Sequence, residues 1–223
     1  MDFARALASV ADGGRDDAWN FLRDYAAWCG RPLTAADGIA DTDASLPAAL
    51  REAYALLGRR DDLTGNQDRL LAPGDLRTDD GFVVFREENQ WVCEWGFRRE
   101  TGDDPAVYVR TDTADPAGRG WEPFMDRLSH AVVEMVLAET LLLEDECAAI
   151  GALPEGEAEK VRGRFPALRF PAYDGIAATW HAADGVILRL DGDSDALVRG
   201  ADREALDGAL ERIDAEWTYL DEL

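Results

Sequence analysis

Hydrophobic and polar residues alternate strictly along residues 91–97, which predicts a β-strand with one buried face. Four side chains share that face: Trp91, Cys93, Trp95 and Phe97. The preceding run, residues 82–85, is apolar at every position, as expected of a strand covered on both sides. The polar residues 86–90 suit a hairpin loop, and residues 106–109 supply a third strand. The simplest arrangement is an antiparallel meander.

Apolar residues recur at helical spacing in other parts of the chain. The predicted helices span residues 3–11, 16–29, 46–57, 126–146 and 202–220. The third helix has the clearest boundaries, with Pro47 in its first turn and Gly58 just after its end. The fourth is the longest, and we expect its apolar stripe to cover the sheet. Near the C-terminus, Asp184-Gly185 between two apolar runs, 176–180 and 186–190, predicts a second hairpin.

These elements predict an α+β fold in which helices flank a mostly antiparallel sheet. A chain of 223 residues can hold one large domain or two small ones. We expect a helical N-terminal extension over residues 1–45 and an α+β domain over residues 46–223. The polar segment 151–159, which contains proline and glycine, is the best candidate for a further boundary. Residues 111–120 are expected to form a surface loop.

The three cysteines, Cys29, Cys93 and Cys147, lie far apart in apolar runs, which indicates free buried thiols and a reducing compartment. The N-terminus lacks the features of a signal peptide, and no apolar run approaches the roughly 20 residues that span a bilayer. The sequence therefore predicts a soluble, cytoplasmic protein.

Acidic residues outnumber basic residues by 46 to 23, which gives a formal net charge of −23. Such a charge repels nucleic acid and anionic membrane surfaces, and it favours basic partners. An acidic surface that serves only solubility is the simpler alternative.

A serine near the C-terminus invites a catalytic interpretation, because Ser194 follows a strand and lies in a turn that resembles a nucleophile elbow. A hydrolase with that order needs a histidine later in the chain, and His181 is the last one. The same turn resembles a calcium loop, but Ala196 stands where a glycine is required. We therefore expect a plain turn between a strand and a helix.

His130 and Glu134 lie one helical turn apart and are the next candidates for a metal site. No second histidine or cysteine is close to them in sequence, so a surface polar pair is the preferred interpretation. His181 lies at the rim of the second hairpin, where we expect it to be solvated. The sequence therefore offers no catalytic constellation, and we expect neither a metal nor a cofactor.

The loop predicted at residues 86–90 contains two adjacent carboxylates, Glu87 and Glu88. Neighbouring side chains of an extended segment point to opposite sides, so these two are poorly placed for joint acid–base catalysis. A solvated turn or a recognition edge is the better interpretation. Trp91 and Trp95 are expected in the core, since stacking on nucleobases would need interleaved Lys and Arg.

Several segments of the chain follow one another in a moderately specific order. They are Leu46 to Tyr54 with Gly58, Leu70-Leu71-Ala72-Pro73, Val84-Phe85, Glu87-Glu88-Asn89-Gln90, Trp95 and Asp104-Pro105-Ala106-Val107. In this order they resemble the SUKH superfamily and are most similar to an actinobacterial branch of it. The similarity is greatest from Leu46 to Leu143 and continues weakly to Trp217, whereas the first 45 residues match no known pattern.

The resemblance implies an α+β fold with helices packed on a mostly antiparallel sheet. Bacterial members of the superfamily are typically immunity proteins that bind and neutralise toxins, often nucleases, and other members are adaptors. The superfamily has no catalytic motif to transfer to this chain.

We therefore expect a non-enzymatic protein that binds a basic toxin domain through an acidic surface, and that binds neither nucleic acid nor membranes. The expected partner-binding residues lie near the ends of the central strands: Glu87, Glu88, Asn89, Asp103 and Asp104. An intracellular scaffold or regulatory adaptor with the same fold is the second hypothesis. A small hydrolase is the third.

Overall fold

The computed structural model of the chain describes residues 1–99, 102–111, 120–173 and 178–222. Within these ranges, seven α-helices and two antiparallel sheets form an α+β fold, as the sequence predicts. None of these helices combines the length and the hydropathy that crossing a membrane requires. Residues 112–119 of the predicted loop and residues 176–177 of a predicted strand lie outside the described part of the chain.

The N-terminal helices are α1 (Phe3–Asp12), α2 (Arg15–Trp28), α3 (Ala48–Leu57) and the short α4 (Asp61–Thr64), with a 3₁₀ turn at Ala35–Asp37. α1 begins where the Asp2 side chain accepts a hydrogen bond from the Arg5 amide. The Phe3 ring of α1 packs edge-on against Trp28 of α2, with ring centroids 4.9 Å apart. Both helices predicted within residues 1–45 therefore exist, and their apolar faces lie in the same core as α3.

The first sheet contains β1 (Asp68–Leu70), β2 (Arg77–Asp79), β3 (Phe82–Glu88), β4 (Cys93–Arg98), β5 (Val107–Thr111) and β6 (Glu122–Met125). Its strand order is β1-β3-β4-β5-β6, and β2 also pairs with β3. Because β3, β4 and β5 are antiparallel neighbours, the predicted meander is confirmed.

Two predicted details of this meander are wrong. Glu87 and Glu88 belong to β3 rather than to a loop, because they pair with Arg69 and Asp68 of β1, a strand that the sequence does not signal. Trp91 lies in the β3–β4 turn with a φ of 64°, so it is neither in the strand nor in the core.

The central helix α5 (Leu128–Thr140) is buried on every side. The sequence predicts a longer helix, residues 126–146, with one apolar stripe against the sheet. Instead, the helices α2, α3 and α4 contact α5 as well as β6 does, and its polar residues are also inside the protein. α5 ends at Thr140, whose hydroxyl lies 2.7 Å from both the Val136 carbonyl and the Tyr25 hydroxyl.

The second sheet and its helices are β7 (Ala148–Ala152), α6 (Glu157–Arg164), β8 (Ala178–Ala183), β9 (Val186–Asp191), β10 (Asp195–Gly200), α7 (Arg203–Leu210) and β11 (Glu216–Tyr219), followed by a 3₁₀ turn at Leu220–Glu222. The strand order is β11-β7-β10-β9-β8. Val186 and Leu188 face a second core with α6 and α7, whereas Ile187 faces the first core. The predicted hairpin around Asp184-Gly185 is confirmed.

Segment 151–159, the candidate for a further boundary, contains the end of β7 and the start of α6. Two predictions for this half of the chain need correction. The last helix starts after Asp202 as predicted but ends at Leu210, and Trp217 instead pairs with Gly151 in the sheet. Ser194 lies in the β9–β10 hairpin turn, not between a strand and a helix.

Candidate functional site

A β-bulge in β3 turns an arginine into the protein interior. The register with β4 shifts by one residue between Val84 and Arg86. Phe85 and Arg86 of β3 therefore both lie opposite one residue of β4, Trp95. Without the bulge, the alternation that buries Phe85 would direct residue 86 to the outer face. As a result, Arg86 is only 3% exposed, and its guanidinium lies 4.1 Å from the centroid of the Trp95 ring.

Three carboxylates surround the Arg86 guanidinium, and we call them the carboxylate cluster: Asp68, Glu134 and Glu139. Nη1 of Arg86 donates to Glu134 at 2.7 Å, and Nη2 donates to Asp68 and lies 3.8 Å from Glu139. Burial alone would lower the pKa of Arg86, but the surrounding carboxylates outweigh it and raise that pKa. Arg86 is therefore a permanent buried cation.

In their ionised forms, the three carboxylates of the cluster carry more negative charge than Arg86 neutralises. Burial raises the pKa of Asp68 and of Glu139, although Arg86 opposes both shifts. Glu139 also accepts backbone hydrogen bonds from residues 66–68, at 2.6 to 3.1 Å. This carboxylate therefore fixes the chain between α4 and β1.

A cavity of about 390 Å³ that opens to solvent adjoins the carboxylate cluster, and we call it the interior cavity. Its polar lining includes Arg86, the carboxylate cluster and the pair Arg189 and Asp191. Its aromatic lining consists of Trp95, Phe124 and Tyr173. A volume of this size lies within the range of small-molecule sites, about 300–1,000 Å³.

A hydrogen-bonded chain connects the cluster with the second sheet. Tyr173 donates to Glu134 at 2.8 Å and accepts from the Trp180 indole at 2.9 Å. Burial, and then the charge of Glu134, raise the pKa of Tyr173, so its hydroxyl stays protonated. Arg189 forms a two-point pair with Asp191, at 2.7 and 2.6 Å, on the same side of the cavity.

The outer face of the first sheet carries a separate charged ladder. Glu87 and Glu94 are directly opposite each other in β3 and β4, where like charges repel. Arg77 bridges them, with 2.7 Å to each carboxylate. Arg69 also pairs with Glu87, and Arg110 pairs with Glu94. These carboxylates are therefore buried and already neutralised by neighbours in the chain.

The β3–β4 turn, residues 89–92, projects from the first sheet, and we call it the strand tip. Trp91 is 61% exposed and Val92 is 45% exposed, and with Met1 they are the exposed large apolar side chains among the described residues. The Glu88 carboxylate accepts hydrogen bonds from the amides of Gln90 and Val92 and so holds the turn in shape. Beside the tip lies a groove of about 240 Å³ whose lining includes Asn89, Trp91 and the buried Asp68.

The five residues expected to bind a partner fall into two groups. Asn89 is exposed in the strand tip, whereas Glu87 and Glu88 are buried beneath it. Asp103 and Asp104 precede β5 and lie at the opposite end of the strands. Asp104 accepts hydrogen bonds from the amide and hydroxyl of Ser129, at 2.8 and 2.7 Å, and so caps the start of α5.

The histidine predictions are wrong in both cases. His130 is buried, with Nδ1 2.9 Å from Asp126 and Nε2 3.1 Å from the Val10 carbonyl. Its helix neighbour Glu134 is also buried and points to Arg86, so the two do not form a surface pair. His181 is buried in β8, where desolvation lowers its pKa and the Phe165 carbonyl lies 2.9 Å from Nδ1.

The described residues contain no group of histidine, cysteine or acidic side chains arranged to hold a metal ion. Ser194 is exposed in its turn, where it donates to the neighbouring Asp195. Neither Ser194 nor a histidine is among the described residues that line the interior cavity. Cys29, Cys93 and Cys147 are free, as predicted, but each is half-buried rather than fully buried.

Comparison with known proteins adds no relative. No protein-family model, no curated protein and no solved structure matches this chain. The resemblance to the SUKH superfamily therefore stays a prediction.

Sequence reasoning missed the interior cavity and the carboxylate cluster. Asp68 and Arg86 look like scattered surface charges, because each lies beside other polar residues in the sequence. One signal was present: Glu134 and Glu139 interrupt the otherwise apolar helix α5. Charged residues in a helix that is buried all round require a buried partner of opposite charge.

Proposed function

We propose that this chain is a non-enzymatic protein-binding protein, and specifically an immunity protein that neutralises a basic toxin domain in the cytoplasm. The observation that carries the proposal is the exposed apolar pair Trp91 and Val92 at the strand tip. The net charge of −23 and the resemblance to SUKH proteins support a basic toxin domain as the partner.

The strand tip has the composition of a binding hot spot. Tryptophan is enriched among the residues that contribute most to protein interfaces, and a central apolar anchor with polar surroundings is the usual arrangement. Trp91 also has a φ of 64°, which is rare for a bulky residue and marks a site held by its surroundings. Both features favour a role in recognition over a role in the core.

The acidic character of the chain favours a basic partner. A nuclease domain must be basic where it grips phosphate, and complementary charge accelerates encounter with such a surface. Glu87 contributes little to this attraction, because Arg69 and Arg77 already neutralise it. We therefore place the contact at residues 89–92, with Glu88 as the residue that shapes the turn.

One observation favours a different class of function. The interior cavity brings together carboxylates with raised pKa values, a combination that also occurs in hydrolases. However, Glu134 and Glu139 are held by hydrogen bonds within the chain, and the described lining offers no serine, cysteine or histidine nucleophile.

A scaffold or adaptor would use the strand tip as well, and the identity of the partner separates it from an immunity protein.

The proposal predicts that a neighbouring gene encodes a basic toxin domain, and isothermal titration with that purified domain tests it. We expect the wild-type chain to bind it and Trp91→Ala to weaken binding by about 30-fold or more, as for other interface hot spots. Asp103→Ala is the matched control, since Asp103 is exposed at the opposite end of the strands.

The salt dependence of the same titration tests the charge argument. We expect affinity to fall as salt rises, because ions screen attraction between exposed charges. If the toxin domain does not bind, the proposed function is wrong. If Asp103→Ala weakens binding and Trp91→Ala does not, the contact lies at the other end of the sheet.

A further inference from the structure

Two hydrogen-bond donors of residues that line the interior cavity have no acceptor among the described residues. They are Nε of Arg86 and the indole Nε1 of Trp95. Both nitrogens are buried, and their side chains belong to residues that are 3% and 8% exposed. A buried donor without an acceptor costs free energy, and the great majority of buried polar groups in folded proteins are paired. This wall of the cavity therefore lacks an acceptor atom.

The two donors lie near each other and near a carboxylate with a spare oxygen. The Arg86 guanidinium is 4.1 Å from the centroid of the Trp95 ring, and its Nη2 donates to Oδ2 of Asp68. The other oxygen of Asp68 accepts no hydrogen bond from a described residue. The Asp68 side chain is 11% exposed, compared with 5% for Glu134 and 1% for Glu139. Of the carboxylate cluster, Asp68 is therefore the member best placed to accept from a ligand.

An aromatic wall lies beside these groups. Trp95, Phe124 and Tyr173 follow one another along the cavity, with ring centroids 6.1 and 5.6 Å apart. Ala138 and Leu142 add further apolar surface to the lining. Flat aromatic molecules pack well against such rings, in offset-stacked or edge-to-face geometry. Apolar walls with a few hydrogen-bonding groups are the usual composition of a site for a small molecule.

We propose that the interior cavity binds a neutral, flat cyclic amide whose carbonyl oxygen accepts from Arg86 and Trp95 and whose adjoining N–H donates to Asp68. A carbonyl oxygen has two lone pairs and no hydrogen, so it can accept from both donors at once. An ammonium ion offers no acceptor, and an anion would be repelled by the carboxylates of the lining. This site is separate from the partner contact that we propose at the strand tip.

Binding at this site requires a small movement of side chains. Nε of Arg86 and Nε1 of Trp95 are covered by other atoms of the chain, so a ligand reaches them only after the Trp95 ring or the Arg86 side chain shifts. The Trp95 indole N–H then gains a hydrogen bond, which moves its proton signal downfield in an NMR spectrum. That signal therefore reports the proposed contact directly.

Calorimetric titration of the full chain with three matched compounds tests the proposal. The compound 2-quinolone carries the carbonyl and the N–H, N-methyl-2-quinolone keeps only the carbonyl, and quinoline has neither group. We expect 2-quinolone to bind with a dissociation constant below about 1 mM. Loss of the N–H should weaken binding by about threefold or more, and loss of both groups by about tenfold or more.

Substitutions of two tryptophans locate the site. Trp95→Phe keeps an aromatic ring but removes the indole N–H, so it should weaken the binding of 2-quinolone by about fivefold or more. It also assigns the NMR signal, which this variant lacks. Trp28→Phe is the matched control, because Nε1 of Trp28 is likewise buried without an acceptor but Trp28 is not among the described residues that line the cavity. That control should bind 2-quinolone as the wild type does.

Circular dichroism and thermal melting show whether each variant is folded, and the comparison of the three compounds needs no variant. The proposal is wrong if 2-quinolone does not bind with a dissociation constant below about 1 mM, or if quinoline binds as tightly. It is also wrong if folded Trp95→Phe binds 2-quinolone as tightly as the wild type, or if the Trp95 indole signal does not move on saturation. None of these outcomes bears on the toxin titration, so the two proposals fail independently.

Discussion

Arg86 shows how one residue organises the interior of this protein. The bulge in β3 places its charge beside Asp68, Glu134 and Glu139, which come from β1 and α5. These carboxylates would repel one another without it. From the sequence, Arg86 appears as the first polar residue of a loop, because period-two alternation does not reveal a bulge.

Replacing Arg86 by leucine should destabilise the fold by about 3–5 kcal/mol, because buried carboxylates would lose their common partner. Arg69→Leu is the control, since the Arg69 side chain is 63% exposed and pairs with a single carboxylate, Glu87. We expect the control to cost about 1 kcal/mol or less. Urea unfolding measures both, and equal effects would show that the cluster does not depend on Arg86.

The raised pKa of Asp68 predicts a specific pH dependence. The folded state holds this proton more tightly than the unfolded state, so the contribution of Asp68 to stability decreases as pH rises from about 4 towards 7. Asp68→Asn removes that titration. We therefore expect the wild type to become more stable relative to Asp68→Asn as pH falls over this range. A difference that stays constant, or changes with the opposite sign, would contradict the burial of this carboxylate.

At the scale of elements, some segments form strands only because they pair with a strand that is distant in the sequence. Local sequence patterns do not predict such segments. Helices α1, α2 and α3 begin and end within a few residues of their predicted limits, because capping and apolar spacing are local. The strand β11 was predicted as the end of a helix, since Trp217 and Leu220 also fit helical spacing. Its pairing with β7 depends on Gly151, which is 66 positions away in the chain and leaves room for the Trp217 ring.

Gly151→Ala should destabilise the protein by about 1–3 kcal/mol, because the added methyl group would lie 2.6 Å from the Trp217 ring. Gly163→Ala in α6 is the matched control, because nothing lies within 4 Å of its added carbon. We expect that control to stabilise the helix by about 0.5–1 kcal/mol. Thermal melting distinguishes the two, and a neutral Gly151→Ala would argue against close packing between β7 and β11.

Asp104 has a structural role that its neighbour Asp103 lacks. Since Asp104 accepts hydrogen bonds from Ser129 at the start of α5, Asp104→Ala should cost about 1 kcal/mol or more of stability. Asp103 is exposed, so Asp103→Ala should be nearly neutral by the same chemical denaturation. If both substitutions were neutral, the cap would contribute nothing to α5.

At the scale of the whole molecule, the predicted elements gave the class of fold and composition gave the sign of the charge, but neither located a site. The expected surface at Glu87, Glu88, Asn89, Asp103 and Asp104 divides between two ends of the sheet, and both glutamates are buried. The burial of Glu87 and Glu88 depends on β1 and β2, two short strands that no sequence pattern predicts. The exposed Trp91 was missed for the opposite reason, since its alternation with Cys93 and Trp95 suggested a buried strand.

A growth assay in cells that express the toxin domain expected from a neighbouring gene tests the central claim most directly. Co-expression of the wild-type chain should restore growth, Asp103→Ala should protect equally, and Trp91→Ala should fail to protect although it is folded and equally abundant. If the wild-type chain gives no protection, or if Trp91→Ala protects as well as the wild type, this protein does not neutralise its partner through the strand tip.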